Sequence, residues 1–363
     1  MILSGTVPGM DSLIAGPSSV LTKIPPTSTT RVLMGNSERR NSRTANKPWA
    51  DGPWPLIETP SRTQRVTHPT IYIANELAHA HNAMLRGLNA LYLQAPFIRQ
   101  PGDVADFLFL VRVWGAWVLD YHVLKETVMI PGFEAILGLE GGRLTLGLTP
   151  ASSSRNSTLS SDGGEEECEN EEGKGKDKGK QNEPRDLALL LQGLLNYADE
   201  TLSEISSYAP STLQALLASL ARTLVPHLHT QIPLLIHMRD LCSFTSPPPT
   251  PSSSSSSSPT RSIRSPGAEA AAHRATLLTQ TYLSAEASFS ARMDRFTIPP
   301  MVVRLRDVTA DVGGGEGGGG SWPRLSVPAL HAVADRLSAR HAGAWRFLPC
   351  DVWGKPRELE FIE

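Results

Sequence analysis

The chain has 363 residues, with 34 basic and 36 acidic side chains and a formal net charge of −2. That balance gives no reason to expect general nucleic-acid or anionic-membrane binding. No consecutive apolar run reaches the roughly 18 residues that a membrane-crossing helix needs, so no transmembrane helix is predicted. Three widely spaced cysteines, Cys168, Cys242 and Cys350, exclude a disulfide framework and a CxxC metal knuckle, and fit a reducing compartment.

Four stretches, 1–46, 150–184, 245–266 and 311–321, are too poor in apolar side chains to offset the entropy of ordering. The remainder, about 250 residues, is enough for one good core, or one core with an appendage. Residues 1–46 are rich in Ser and Thr, with only Asp11 and Glu38 as acids. They read as a disordered polar tail. A likeness to an organellar transit peptide is opposed by Pro8, Pro17, Pro25 and Pro26, which spoil an amphipathic helix. With no basic segment followed by an apolar core, no secretory signal is predicted. The expected location is cytoplasmic, with a mitochondrial one as the weaker alternative.

In chain order, 47–66 is a Pro- and Trp-rich extended strap, and 67–243 carries four helical patterns. In the first, about 69–95, Ile73, Leu77, His81, Leu85 and Leu88 recur at three- and four-residue steps, and Pro96 stops the helix. The second, about 103–129, starts with Asp103 as N-cap after Pro101-Gly102. Its apolar face runs through Phe107, Val111, Trp114, Val118, Tyr121 and His122, and Pro131 closes it. Residues 133–149 read as a short helical turn and an apolar loop. A solvated insertion, 150–184, follows, with an acidic block and a lysine block that cancel each other's charge; its Cys168 sits among glutamates, which disfavour a thiolate.

The third helix spans about 185–208 and the fourth about 211–243, where Pro226 and Pro233 are expected to kink it. A Pro/Ser linker, 244–266, leads to a C-terminal helical and irregular extension, 267–363, expected to pack on the bundle. That extension opens with a fifth helix at 267–293 and holds a short one at about 327–341. Four helices with short first and last connections, and no strand–helix alternation, predict an all-α fold: an up-down-up-down four-helix bundle with disordered insertions and a C-terminal extension.

Chemistry is concentrated on the apolar faces. His122-Val-Leu-Lys-Glu126 places an imidazole and a carboxylate one turn apart on one face of the second helix. A buried carboxylate there needs a metal, a cation or hydrogen bonds. His81 lies in the stripe of the first helix, and His227 in that of the fourth, with Leu220, Leu224, Gln231 and Leu234. Three histidines and a glutamate from three helices can converge in a bundle core and hold a metal. The competing reading is a set of core histidines satisfied by their neighbours, since His79, His229 and His237 show histidine scattered along the same helices.

The string from His81-Asn-Ala-Met-Leu-Arg-Gly to Gln94-Ala-Pro96 resembles the first helix of the hemerythrin-like (HHE cation-binding) domain in its fungal form. The likeness continues through Asp106-Phe-Leu-Phe109, Trp117 to Glu126, Leu224-Val-Pro-His-Leu-His229, and the flanks WADGPWPLIETP and WRFLPCDVWGKPR. It implies four antiparallel helices around a non-haem di-iron centre, to which His81, His122, Glu126 and His227 would contribute. The chain departs from that pattern: its third helix has no histidine, with leucines Leu187 and Leu191 around the matching positions, and Gln231 stands where a carboxylate is expected. Without a second bridging carboxylate two dications repel too strongly. The resemblance therefore implies one non-haem iron or other divalent metal, or none, at His81, His122, Glu126 and His227. A bound metal implies dioxygen or a small ligand as partner. The alternative is a metal-free scaffold or interaction protein, and catalysis is the least favoured reading. Leu187, Leu190, Leu191, Leu194 and Leu195 are expected to fill the space that imidazoles and iron would take.

Overall fold

A computed structural model of the chain describes residues 49–144, 187–243, 266–308 and 322–362. The predicted tail 1–46, the insertion 150–184, the segment 245–265 and the Gly-rich stretch 311–321 lie outside these residues. Among the described residues the protein is helical and has no strand, only an isolated bridge between Cys350 and Pro356.

The strap contains a single turn, α1 (Pro60–Thr63), and lies along α2 (Pro69–Gln94). Three asparagines on α2, seven residues apart and so on one face, hold it there. Asn82 accepts from the Ile57 N–H at 2.7 Å and donates to the Ile57 carbonyl at 2.8 Å. Asn89 does the same for Trp54 at 3.0 and 2.9 Å, and Asn75 accepts from the Ser61 N–H at 3.0 Å. The side-chain amides replace the backbone partners that an extended segment on a helix otherwise lacks.

The helix α3 (Pro101–Leu124) follows after a tight turn. Gln100, not Asp103, is its N-cap, because Pro101 supplies a first residue with no N–H to satisfy. Asp103 sits in the first turn, where the helix dipole favours a carboxylate, and pairs with Arg346 from the C-terminal segment. Nor does Pro131 end this helix. A π turn at Lys125–Met129 leads directly into α4 (Ile130–Leu137), which stops at Gly138 with φ +66°. The wider turn, closed by the Ile130 N–H on the Lys125 carbonyl, lets the chain take a proline without breaking helical continuity. The stretch Pro101–Leu137 is then long and apolar enough to cross a membrane by length and composition, although no unbroken apolar run has that length; more than half of its most apolar window is buried in the fold.

The helix α5 (Leu187–Ser203) is shorter than predicted and ends in a 3₁₀ turn at Ile205–Ser207. The helix α6 (Pro210–Ser243) runs through Pro226 and Pro233. Helices α2 and α6 lie side by side, as do α3 and α5, and α5 and α6; α7 (Pro266–Arg292) lies against α2, α4 and α6. The chain finishes with α8 (Ile298–Val303), α9 (Val327–Ala332) and α10 (Ala342–Trp345).

The core fills the space between these helices with Phe107, Trp114, Trp117 and Tyr121 of α3, Leu77, Leu85 and Leu88 of α2, and Leu220, Leu224 and Leu228 of α6, all buried. Each such side chain contributes about 1.5–3 kcal/mol on burial. From α5, Leu187, Leu191 and Leu194 are buried, while Leu190 and Leu195 are half-buried. Gly115 of α3 lets Leu194 and Leu195 approach: a Cβ there would meet a Leu195 methyl at 3.1 Å.

Candidate metal centre

The π turn lies at the site itself, and it carries two neighbouring residues with opposite charges. Glu126 faces His122 and His227, while Lys125 turns into the core. The Glu126 Oε1 lies 3.9 Å from His122 Nδ1 and 3.9 Å from His227 Nε2. The two imidazoles meet edge to face, with ring centroids 5.1 Å apart. One ligand atom from each of His122, Glu126 and His227 falls within 4.8 Å of the others. Two donors at ~2.1 Å from a common ion can stand at most about 4.2 Å apart. Three donors around one tetrahedral ion stand about 3.4 Å apart, so the two carboxylate–imidazole pairs must each close by about 0.5 Å and the widest pair by up to about 1.4 Å. The three side chains are 16, 22 and 25 % exposed, so solvent reaches one side of the group.

His81 stands apart from this trio. It is fully buried; its Nδ1–H donates to the Leu228 carbonyl at 3.1 Å, which leaves the Nε2 lone pair facing inward. The Lys125 Nζ lies 3.2 Å from that Nε2 and donates to Gln231 Oε1 at 2.6 Å. The same ammonium sits 5.9 Å from the centroid of the Tyr121 ring. Gln231 then passes the contact on: its amide nitrogen lies 3.1 Å from His227 Nε2 and 3.4 Å from Glu126 Oε1. Through Lys125 and Gln231 the network links His81 to His227 and Glu126, and His122 adjoins it beside Glu126 and His227.

Burial sets the charges. It lowers the Lys125 ammonium to about 7, against the pull of the Glu126 carboxylate. His227 is lowered to about 3, first by burial, then by Lys125 and His122. His81 is held well below the usual imidazole range by burial and then by Lys125. Both His81 and His227 are neutral at pH 7, the form in which imidazole ligates a metal or accepts a hydrogen bond.

Sequence reasoning missed Lys125. The signal was present: Phe107, Val111, Trp114, Val118, Tyr121 and Lys125 follow one another at steps of four and three, so the lysine continues the buried stripe of α3. Behind it Tyr121 donates to the buried Glu286 of α7 at 2.5 Å, and the exposed Arg324 pairs with the buried Glu76 of α2 at 3.2 Å.

No family profile and no solved structure matches this chain. It is similar to a protein described as a dimeric xanthone biosynthesis cluster protein, from Cryptosporiopsis sp. (strain 8999). The two are 23 % identical over 323 residues, which covers 87 % of this chain and 94 % of the relative.

Proposed function

We propose that this protein is a hemerythrin-like, four-helix metal-binding protein whose His122, Glu126 and His227 hold one divalent ion, with non-haem iron as the leading candidate. The observation that carries this reading is the mutual approach of three donor side chains from two helices within 4.8 Å. Two imidazoles and one carboxylate with open positions suit Fe(II), Zn(II) or Mn(II). The packing of α2 on α6, α3 on α5 and α5 on α6 supports an up-down bundle around them.

Lys125 argues against a second ion. Its Nζ occupies the space beside His81 Nε2, where a second ion would have to sit to use that imidazole. Gln231, a neutral amide, takes the place of a bridging carboxylate. A held ion would offer its remaining coordination positions to dioxygen or another small ligand. Around it, Glu126 supplies the negative charge, and Gln231 orients Glu126 and His227.

A second reading is favoured by the same network: Lys125 and Gln231 already hydrogen-bond His81, His227 and Glu126 without metal. In that case the protein is a metal-free scaffold or interaction protein. The name of the relative places that protein in a biosynthesis cluster, and we propose a comparable setting in fungal natural-product assembly for this chain. Elemental analysis of protein purified without chelator, followed by titration with Fe(II), Zn(II) and Mn(II), decides between the readings. One ion per chain, lost in Glu126→Ala, supports the first. No ion at any concentration that leaves the protein folded supports the second.

A further inference from the structure

On the side of α2 that carries the strap lies a cleft distinct from the His–Glu group. Arg62 and Thr59 from the strap, His79, Asn82 and Arg86 from α2, and Arg306, Asp307 and Trp322 from the C-terminal part line it. Three guanidiniums therefore converge on one concavity with one carboxylate in its wall. Arg86 is buried between Asp51 at 3.0 Å and Asp307 at 3.8 Å, and it donates to the Leu305 carbonyl at 3.3 Å. Arg306, also buried, donates to the Trp353 carbonyl at 3.3 Å. Even with Asp51 counted, the guanidiniums outnumber the carboxylates by one. Arg62 is exposed at the rim.

The second observation is independent of charge. Trp322 is 2 % exposed and stacks on His79 with ring centroids 6.4 Å apart. Its indole N–H has no hydrogen-bond partner among the described residues. A buried N–H without an acceptor costs about 1–3 kcal/mol, so such donors are rare unless something else accepts from them. The cleft holds about 60 Å³ of solvent-sized space, roughly four to six times what one water needs. That is room for a tetrahedral or planar oxyanion head, and too little for a whole metabolite.

We propose that this cleft binds a small oxyanion, a phosphate or carboxylate group, between the Arg62, Arg86 and Arg306 guanidiniums and the Trp322 N–H. Guanidinium is the side chain best matched to such groups, because its donors lie in a planar fork. The ligand ties the strap, α2 and the C-terminal segment together, so its binding stabilises the native state by RT ln(1 + c/Kd), which rises with the ligand concentration c.

The test is thermal unfolding of the full chain in rising sodium phosphate, phenyl phosphate or sodium benzoate, each against sodium chloride at matched ionic strength. The expected result is a melting temperature that climbs with at least one oxyanion and stays level with chloride. A response to phosphate and phenyl phosphate alone assigns the head as phosphate; a response to benzoate alone assigns it as carboxylate. Arg62→Ala, an exposed substitution, weakens the apparent affinity about tenfold, the equivalent of one charge-assisted hydrogen bond. Trp322→Phe keeps the stacked ring and loses the donor, and it weakens binding as well. No response beyond chloride, or a response unaltered in both variants, overturns the proposal.

Discussion

The Lys125 ammonium stands 3.2 Å from His81 Nε2, between that imidazole and the Gln231 carbonyl oxygen at 2.6 Å. One buried amine thus satisfies two acceptors, from α2 and α6, and it does so from the π turn that follows α3. A π turn widens the helix by one residue, and here it lets Lys125 and Glu126, adjacent in sequence, serve two different clusters.

Lys125→Met removes that donor and leaves two buried acceptors unpaired. The loss of their hydrogen bonds outweighs the relief of no longer burying an amine, because the methionine cannot satisfy either group. We expect about 1–3 kcal/mol of destabilisation in urea unfolding. Gln231→Leu removes one of the two acceptors, so in the double variant the losses are less than additive by about 0.5–3 kcal/mol. Strict additivity would mean that the two side chains do not share the contact.

The metal reading separates the four candidate residues. His122→Ala, Glu126→Ala and His227→Ala each delete a donor from the trio and should drop the metal content of purified protein toward zero. His81→Gln alters the Lys125 contact but removes no member of the trio, so metal content should remain near that of the parent protein. Elemental analysis reads all four. Loss of the ion in His81→Gln, with the trio intact, would place His81 among the ligands and displace Lys125 from its present position.

Much of the architecture was legible because it rests on periodicity. The stripe Ile73, Leu77, His81, Leu85, Leu88 and the stop at Pro96 bound α2 closely; Leu187, Leu191 and Leu194 of α5 fall in the core as expected, while Leu190 and Leu195, expected there too, are half-buried. Reading Pro131 as a stop failed because the rule assumes a regular α-helical ladder, and the π turn before it changes which carbonyls need donors. The site was legible in its histidines and glutamate, which are read by type. Lys125 was not, since a lysine on a helix is ordinarily solvated and only its place in the stripe marks it as buried. The asparagine ladder at 75, 82 and 89 went unread for a similar reason: its partners are backbone groups of the strap, which no side-chain pattern announces.

Two positions test the packing that surrounds the site. Leu191 is fully buried between α5 and its neighbours, and Leu191→Ala should cost about 2–5 kcal/mol. Gly87 of α2 lies against the Trp114 indole, whose N–H donates to the Met84 carbonyl at 3.2 Å. A Cβ at Gly87 would overlap that ring, so Gly87→Ala should destabilise by about 1–3 kcal/mol despite alanine's higher helix propensity. Chemical denaturation with a near-ultraviolet signal for Trp114 checks both. A stabilised Gly87→Ala would show that the indole has room to move.

Alkaline titration tests the buried tyrosine network of α7. Tyr282 is fully buried, and its hydroxyl is held well above the ordinary tyrosine range, first by burial and then by the negative charge of Glu286. Below about pH 10 the phenol is protonated in both the folded and the unfolded chain, so its contribution to stability is fully present there. Above that value the unfolded chain loses the proton and the folded chain keeps it. Unfolding then releases a proton, and stability falls as pH rises toward the raised folded value. The absorbance of this phenolate near 295 nm should therefore appear together with loss of helical circular dichroism, not before it. Tyr282→Phe should flatten the fall of stability between about pH 10 and 12 relative to the parent protein, because one group that ionises only on unfolding is gone. If the Tyr282-dependent part of the phenolate signal, taken as the difference between the parent protein and Tyr282→Phe, instead develops reversibly near pH 10 with helicity intact, Tyr282 is solvated and its packing against Tyr72 and Tyr121 is looser than the structure shows.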